Sequence, residues 1–162
     1  MIMVEDILED SFFAAMAAIG FASISKVPPR TYILCGSAAA VGHGLRYALM
    51  SADFTGIGII GASAIAAFVI GMIAVLFASL VKVPAEACLF PALLPMIPGM
   101  YAYRAIEAII GCLSEVNEDG FNHSLYLLSY NGMYCCAIVL GMAIGANIPI
   151  FLMKRISFQA TR

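Results

Sequence analysis

Charge is what this sequence has least of. Only 11% of its 162 residues are Asp, Glu, Lys or Arg, while 63% are hydrophobic, and the mean hydropathy is +1.00. A soluble domain carries about 25% charged residues, and a water-facing surface cannot be covered with less than half of that. A soluble enzyme and a disordered chain are both excluded. Lys and Arg number 8 against 10 Asp and Glu, so there is no basic face for nucleic acid either. A basic region ahead of the first apolar run is also missing. Glu5, Asp6, Glu9 and Asp10 stand there instead, which argues against a cleaved signal peptide. The five cysteines (Cys35, Cys88, Cys112, Cys135, Cys136) show no CxxC or Cys/His spacing. They read as small apolar packing residues, with neither a disulfide framework nor a metal site. No phosphate-binding glycine loop occurs and no cofactor is expected.

What is present is a set of long apolar stretches. A hydrocarbon core of about 30 Å needs about 20 helical residues. Five segments qualify, at about 8–25, 32–50, 56–81, 89–113 and 125–153. Pro28-Pro29 and Pro84 cannot continue a preceding helix and mark natural stops. The connections, including an acidic run from Ser114 to His123, are too short for a further domain. The expected fold is an all-α integral membrane protein, residues 1–162 forming one five-span unit.

The remaining charges sort by side. Lys26, Arg30, Lys82, Lys154, Arg155 and Arg162 fall on one side of the expected bilayer. Glu5, Asp6, Glu9, Asp10, Asp53, Glu115, Glu118 and Asp119 fall on the other. Positive residues favour the cytoplasm, which predicts the N-terminus outside and the C-terminus inside. Small residues recur every four positions, at Ala14, Ala18 and Ala22, at Gly36, Ala40 and Gly44, and at Gly141 and Gly145. Such strips let membrane helices approach closely. They leave room for a second subunit, including another copy of the chain.

Three charges escape this sorting by side, Arg46, Arg104 and Glu107, beside the titratable His43. A charge at mid-bilayer costs about 2.5–3.5 kcal/mol on insertion scales and so faces a partner or a wet cavity. His43 and Arg46 share a helix face, as do Arg104 and Glu107. Two structural readings stand beside the functional one: Arg46 snorkelling to the interface, and Arg104–Glu107 as a fixed ion pair.

The stretch from Phe90 to Arg104 is the most informative. Pro91, Pro95 and Pro98 remove three donors and clash with preceding carbonyls, and Gly99 permits unusual backbone angles. A fourth span broken at Pro98-Gly99 is expected, with a second half-helix starting near Met100. Its first N–H groups would be unpaired near mid-membrane and would favour an anion. Arg104 adds a full positive charge one turn later. Broken helices of this kind carry substrate sites in secondary transporters; a plain proline kink is the structural alternative. Tyr126, Tyr130 and Tyr134 form a stripe that reads as an aromatic belt or packing face. Asn131 and Asn147 read as interhelical hydrogen-bonding residues.

Gly42-His43-Gly44-Leu45-Arg46, Pro95-Met96-Ile97-Pro98-Gly99-Met100-Tyr101-Ala102-Tyr103 and Gly141 to Pro149 resemble segments of the threonine/serine exporter family. The likeness covers nearly the full length and is to the small subunit of split members, equivalent to the C-terminal membrane half of the fused exporter. It implies export of threonine and serine, or of succinate-like dicarboxylates, with a larger membrane subunit equivalent to the N-terminal half. It also implies roles on the substrate path for His43, Arg46, Pro98, Gly99, Tyr101 and Tyr103.

The expectation is therefore a subunit of a bacterial inner-membrane secondary exporter for small carboxylate-bearing metabolites. Pro98, Gly99, Met100, Tyr101, Tyr103 and Arg104 are the candidate substrate-binding residues. His43, Arg46 and Glu107 are the candidates for proton coupling or gating. A non-transporting assembly subunit is the rival reading. An intramembrane enzyme would need a nucleophile–base pair that no motif supplies.

Overall fold

The structure, a computed structural model, describes residues 2–51 and 56–153. Asp53, Lys154, Arg155 and Arg162, which contribute to the charge pattern, lie outside them. The described residues form six α-helices and no strand: α1 (Ile2–Ile24), α2 (Tyr32–Met50), α3 (Ile59–Val81), α4 (Ala85–Leu93), α5 (Gly99–Ser114) and α6 (Glu118–Leu152). A 3-10 turn, Pro29–Thr31, precedes α2, and another, Leu94–Met96, follows α4. Three helices are long and apolar enough to cross a membrane, α1 from Val4, α3 and α6, or four if the interrupted α4–α5 pair is one span. Helix α2 is 19 residues long, but His43, Arg46 and its three glycines dilute its hydropathy.

Helix ends depart from expectation where charge was read as loop. α1 starts at Ile2, so Glu5, Asp6, Glu9 and Asp10 all lie on the helix, where acids near the N-terminus complement the dipole. The acidic run is mostly helical too. α5 continues to Ser114 and α6 begins at Glu118, which leaves only residues 115–117 between them. Glu86, an acid on the otherwise basic side, sits in the first turn of α4.

Two connections are built alike. Lys26 and Lys82 both adopt left-handed backbone, with φ of 55° and 52°. Each is followed by a buried valine, Val27 or Val83, and then by a proline in extended backbone. At Lys26 the pattern is a full Schellman cap. Its N–H bonds the Ser23 carbonyl and the Val27 N–H bonds the Ala22 carbonyl, both at 3.2 Å. Glycine usually fills this position; here the lysine accepts the strained angle and keeps a cation at the helix C-terminus.

The chain divides into two compact units, one of residues up to Met96 together with those from Gly141 onward, the other Ile97–Leu140. In the first, Ala14, Ala18 and Ala22 are fully or almost fully buried. Ideal Cβ atoms at Gly36 and Gly44 would press on Ala15 and Ile19, and on Ile7 and Ser11, respectively. α1 and α2 are thus close-packed and antiparallel. Against α3, Gly141 meets Ile60 and Ala64, Gly145 meets Ala64, and Gly71 meets Ala146 and Pro149, so this part of α6 runs parallel to α3. The small-residue strips are where backbones touch.

Candidate functional site

In the first unit, α1 and α2 bring polar groups together in an apolar surrounding. His43 is buried, and its Nδ1 lies 3.0 Å from Oδ2 of the half-exposed Asp10. One turn away along each helix, the Tyr47 hydroxyl reaches Asp6 Oδ2 at 3.5 Å. Nε2 of His43 is buried and has no hydrogen-bond partner among the described residues. Nη1 of Arg46 donates to the Met96 carbonyl at 3.1 Å. Asp10, read from the sequence as a loop charge, is the residue that the linear pattern missed. Its spacing of four from Asp6, matching His43 and Tyr47 on α2, was the available signal.

The helix break sits at residues 97–98, beyond the 3-10 turn. Pro98 has φ −75° and ψ 62°, and the Gly99 N–H donates to the Ile97 carbonyl at 2.7 Å. This is an inverse γ-turn, which proline's fixed φ favours. The N–H groups of Tyr101 and Ala102 both donate to the Pro98 carbonyl at 3.1 Å. Several free donors were expected at the start of α5; among the described residues only Met100 keeps its backbone N–H without a partner there. Gly99 does not use positive φ. Its contribution is open space, since a Cβ there would meet nothing within 4 Å.

The second unit holds a cavity of about 500 Å³ lined by Arg104, Glu107, Ala108 and Gly111 of α5 and by Ser124, Leu127, Tyr130 and Asn131 of α6. Arg104 and Glu107 therefore do share a surface, as their spacing implies. They are not an ion pair, because the one ion pair within 4.0 Å among the described residues is His43–Asp10. Asn131 is buried; its Nδ2 bonds back to the Leu127 carbonyl at 2.8 Å, leaving the amide oxygen for the cavity. Gly111 and Ser124, both lining it, approach closely: a Cβ on Gly111 would lie 2.7 Å from the serine hydroxyl. Asn147, by contrast, bonds to Ala143 of its own helix at 2.8 Å.

The tyrosine stripe is a packing device and more. Tyr126, Tyr130 and Tyr134 follow one another in ring contact, the first pair stacked at 6.1 Å and the second tilted by 41° at 4.8 Å. The row continues onto α5 through Tyr101, whose ring lies parallel to Tyr134 at 5.4 Å and 8°. Tyr130 also lines the cavity, whereas Tyr103 and Met100 are exposed. The sequence-predicted residues thus fall into two sets, His43 and Arg46 in the first unit and Pro98 to Glu107 in the second. Ser124, Tyr130 and Asn131 join the second set from thirteen or more residues further along the chain. Among the described residues no group of three or more His, Cys, Asp or Glu side chains is placed to hold a metal.

Comparison with known proteins gives these features a context. The family described as "Threonine/Serine exporter, ThrE" matches residues 10–152. A protein of Haemophilus influenzae, described only as uncharacterized, is 30% identical over 150 residues, covering 92% of this chain and 48% of the relative. The chain therefore spans about half the length of that curated relative. No solved structure matches it.

Proposed function

The chain belongs to the threonine/serine exporter family, a family of membrane transporters, and from that premise we propose that it is the small subunit of a bacterial inner-membrane exporter whose cavity between α5 and α6 takes a zwitterionic amino acid. One observation carries this reading: Arg104 and Glu107 line a single cavity without pairing to each other. An amino acid brings a carboxylate and an ammonium group. Arg104 matches the first with a planar donor fork, and Glu107 matches the second. The Ser124 hydroxyl, the Tyr130 hydroxyl and the amide oxygen of Asn131 are hydrogen-bonding groups for a small polar side chain such as that of serine or threonine. A dicarboxylate would set its second negative charge against Glu107.

The rest of the assembly follows as part of the same proposal. α1, the broken α4–α5 segment and α2, α3 and α6 make five spans in one domain, with the N-terminus outside. The antiparallel α1–α2 pair and the parallel α3–α6 pair support the alternation this requires. Arg104 and Glu107 are exposed on this chain alone, which is costly in lipid. A larger companion equivalent to the N-terminal half closes the cavity, and the half-length coverage of the relative supports it. Transport is secondary.

The test is export of threonine and of succinate from cells carrying this chain and its companion, at matched membrane levels. Arg104→Ala should abolish threonine export and Arg104→Lys should weaken it. Glu107→Gln should lower threonine export about tenfold or more, the scale of one lost charged hydrogen bond, while succinate export holds or rises. Full activity in an Arg104→Ala/Glu107→Ala double variant would mean that the pair is structural and would remove both residues from the site.

A further inference from the structure

Asp10, His43 and Arg46 form an arrangement that helix packing does not call for. The Nδ1–H of His43 donates to Asp10 Oδ2 at 3.0 Å. In a neutral imidazole the lone pair then resides on Nε2, and Nε2 is buried with no partner among the described residues. An unsatisfied buried acceptor is destabilising, and an apolar side chain would fill the same space without that cost. One turn further on, Arg46 is committed to the Met96 carbonyl, which belongs to the last residue before Ile97-Pro98.

The electrostatic surroundings are sparse. α1 contributes Asp10, and Asp6 through the Tyr47 hydroxyl. α3, from Ile59 to Val81, has no titratable side chain, and neither has α6 from Gly141 to Leu152. α4 brings Glu86, which is exposed, and the buried Cys88. On α2 itself the nearest charge is Arg46, three residues from His43 and on the same face.

We propose that Asp10 and His43 are a proton-binding pair whose vacant position is Nε2, and that Arg46 transmits the charge of the pair to the Met96 carbonyl beside the helix break. Uptake adds one proton to the Nε2 lone pair while Nδ1–H stays on Asp10, so the pair goes from a net charge of −1 to 0. Before uptake the Asp10 carboxylate attracts the Arg46 cation. Afterwards the imidazolium cancels that attraction and repels the guanidinium. The hold of Arg46 on the break thus becomes a function of protonation. The link to transport rests on the exporter reading above; the pair itself does not.

The pair is tested by 15N NMR of the full chain in lipid nanodiscs. There are only two histidines, and His123→Gln assigns the other. His43 should show Nδ1–H with bare Nε2 at alkaline pH, and the proton added on acidification should appear at Nε2. Asp10→Leu should abolish the Nδ1–H preference. A wild-type Nε2–H tautomer, or a pattern unchanged by Asp10→Leu, overturns the pair. The coupling is tested in vesicles containing the chain and its companion. His43→Gln should lower accumulation driven by a pH gradient by about tenfold or more relative to threonine exchange in the same vesicles. If that ratio is unchanged, the coupling is overturned. If wild-type vesicles exchange no threonine, the exporter reading fails while the NMR result still decides the pair.

Discussion

Arg46 donates from Nη1 to the carbonyl of Met96, fifty residues away in sequence, at 3.1 Å. In an uninterrupted helix that carbonyl would accept the N–H of Met100. The turn at Pro98 separates the two, and among the described residues Met100 is left as the one free backbone donor at the start of α5. Arg46 has taken the acceptor. A charge placed in an apolar helix is thus committed to the backbone of a different helix, and the break and the arginine explain each other.

Removing the guanidinium should therefore leave a part-buried carbonyl unsatisfied. Arg46→Leu is expected to destabilise the protein by about 1–3 kcal/mol, with Arg46→Lys retaining part of that. Thermal unfolding of the purified protein in detergent checks it. An Arg46→Leu variant as stable as wild type would show that the Met96 contact contributes nothing.

Close backbone packing gives a matched pair of glycine variants. A Cβ at Gly145 would collide with the Ala64 carbonyl, which is backbone and cannot step aside, while Gly132 has nothing within 4 Å. Gly145→Ala should cost about 1–3 kcal/mol by overpacking. Gly132→Ala should be neutral or should stabilise by up to about 1 kcal/mol through helix propensity. The same unfolding measurement on both variants compares them directly.

The Tyr101–Tyr134 stack should contribute about 0.5–1.5 kcal/mol beyond area burial. A double-mutant cycle with Tyr101→Leu and Tyr134→Leu reads that coupling free of the individual costs. Additive losses would mean that the parallel rings at 5.4 Å are merely adjacent.

Five spans with the N-terminus outside predict a specific labelling pattern. An engineered thiol at Glu118 should react with an impermeant maleimide added to intact cells. One at Lys82 should react only after the membrane is opened. Both residues reactive from the same side would refute the alternation.

Composition placed this chain in a membrane, with only 11% charge. The length of its apolar runs made it helical, because a spanning chain satisfies its backbone as a helix or a closed barrel and runs of about 20 residues fit the helix. The proline run located the break, since three missing donors within eight residues leave a helix no way through. The small-residue strips were legible for the same reason, their spacing being a geometric property of one helix. Spacing within one helix also put Arg104 beside Glu107 and His43 beside Arg46. Pairings between helices were not legible, because they depend on crossing geometry that no local pattern encodes. Asp10 read as a loop charge until α1 proved to begin at Ile2 and to run antiparallel to α2. For Arg46 a functional role and snorkelling to the interface stood side by side, and the Met96 carbonyl as its partner came only from the fold. The unpaired amides expected at the start of α5 were mostly absorbed by the turn at Pro98, a local rearrangement that proline favours and that counting missing donors does not foresee. Ser124, Tyr130 and Asn131 joined Arg104 and Glu107 only because α6 folds back along α5, and that is a tertiary decision.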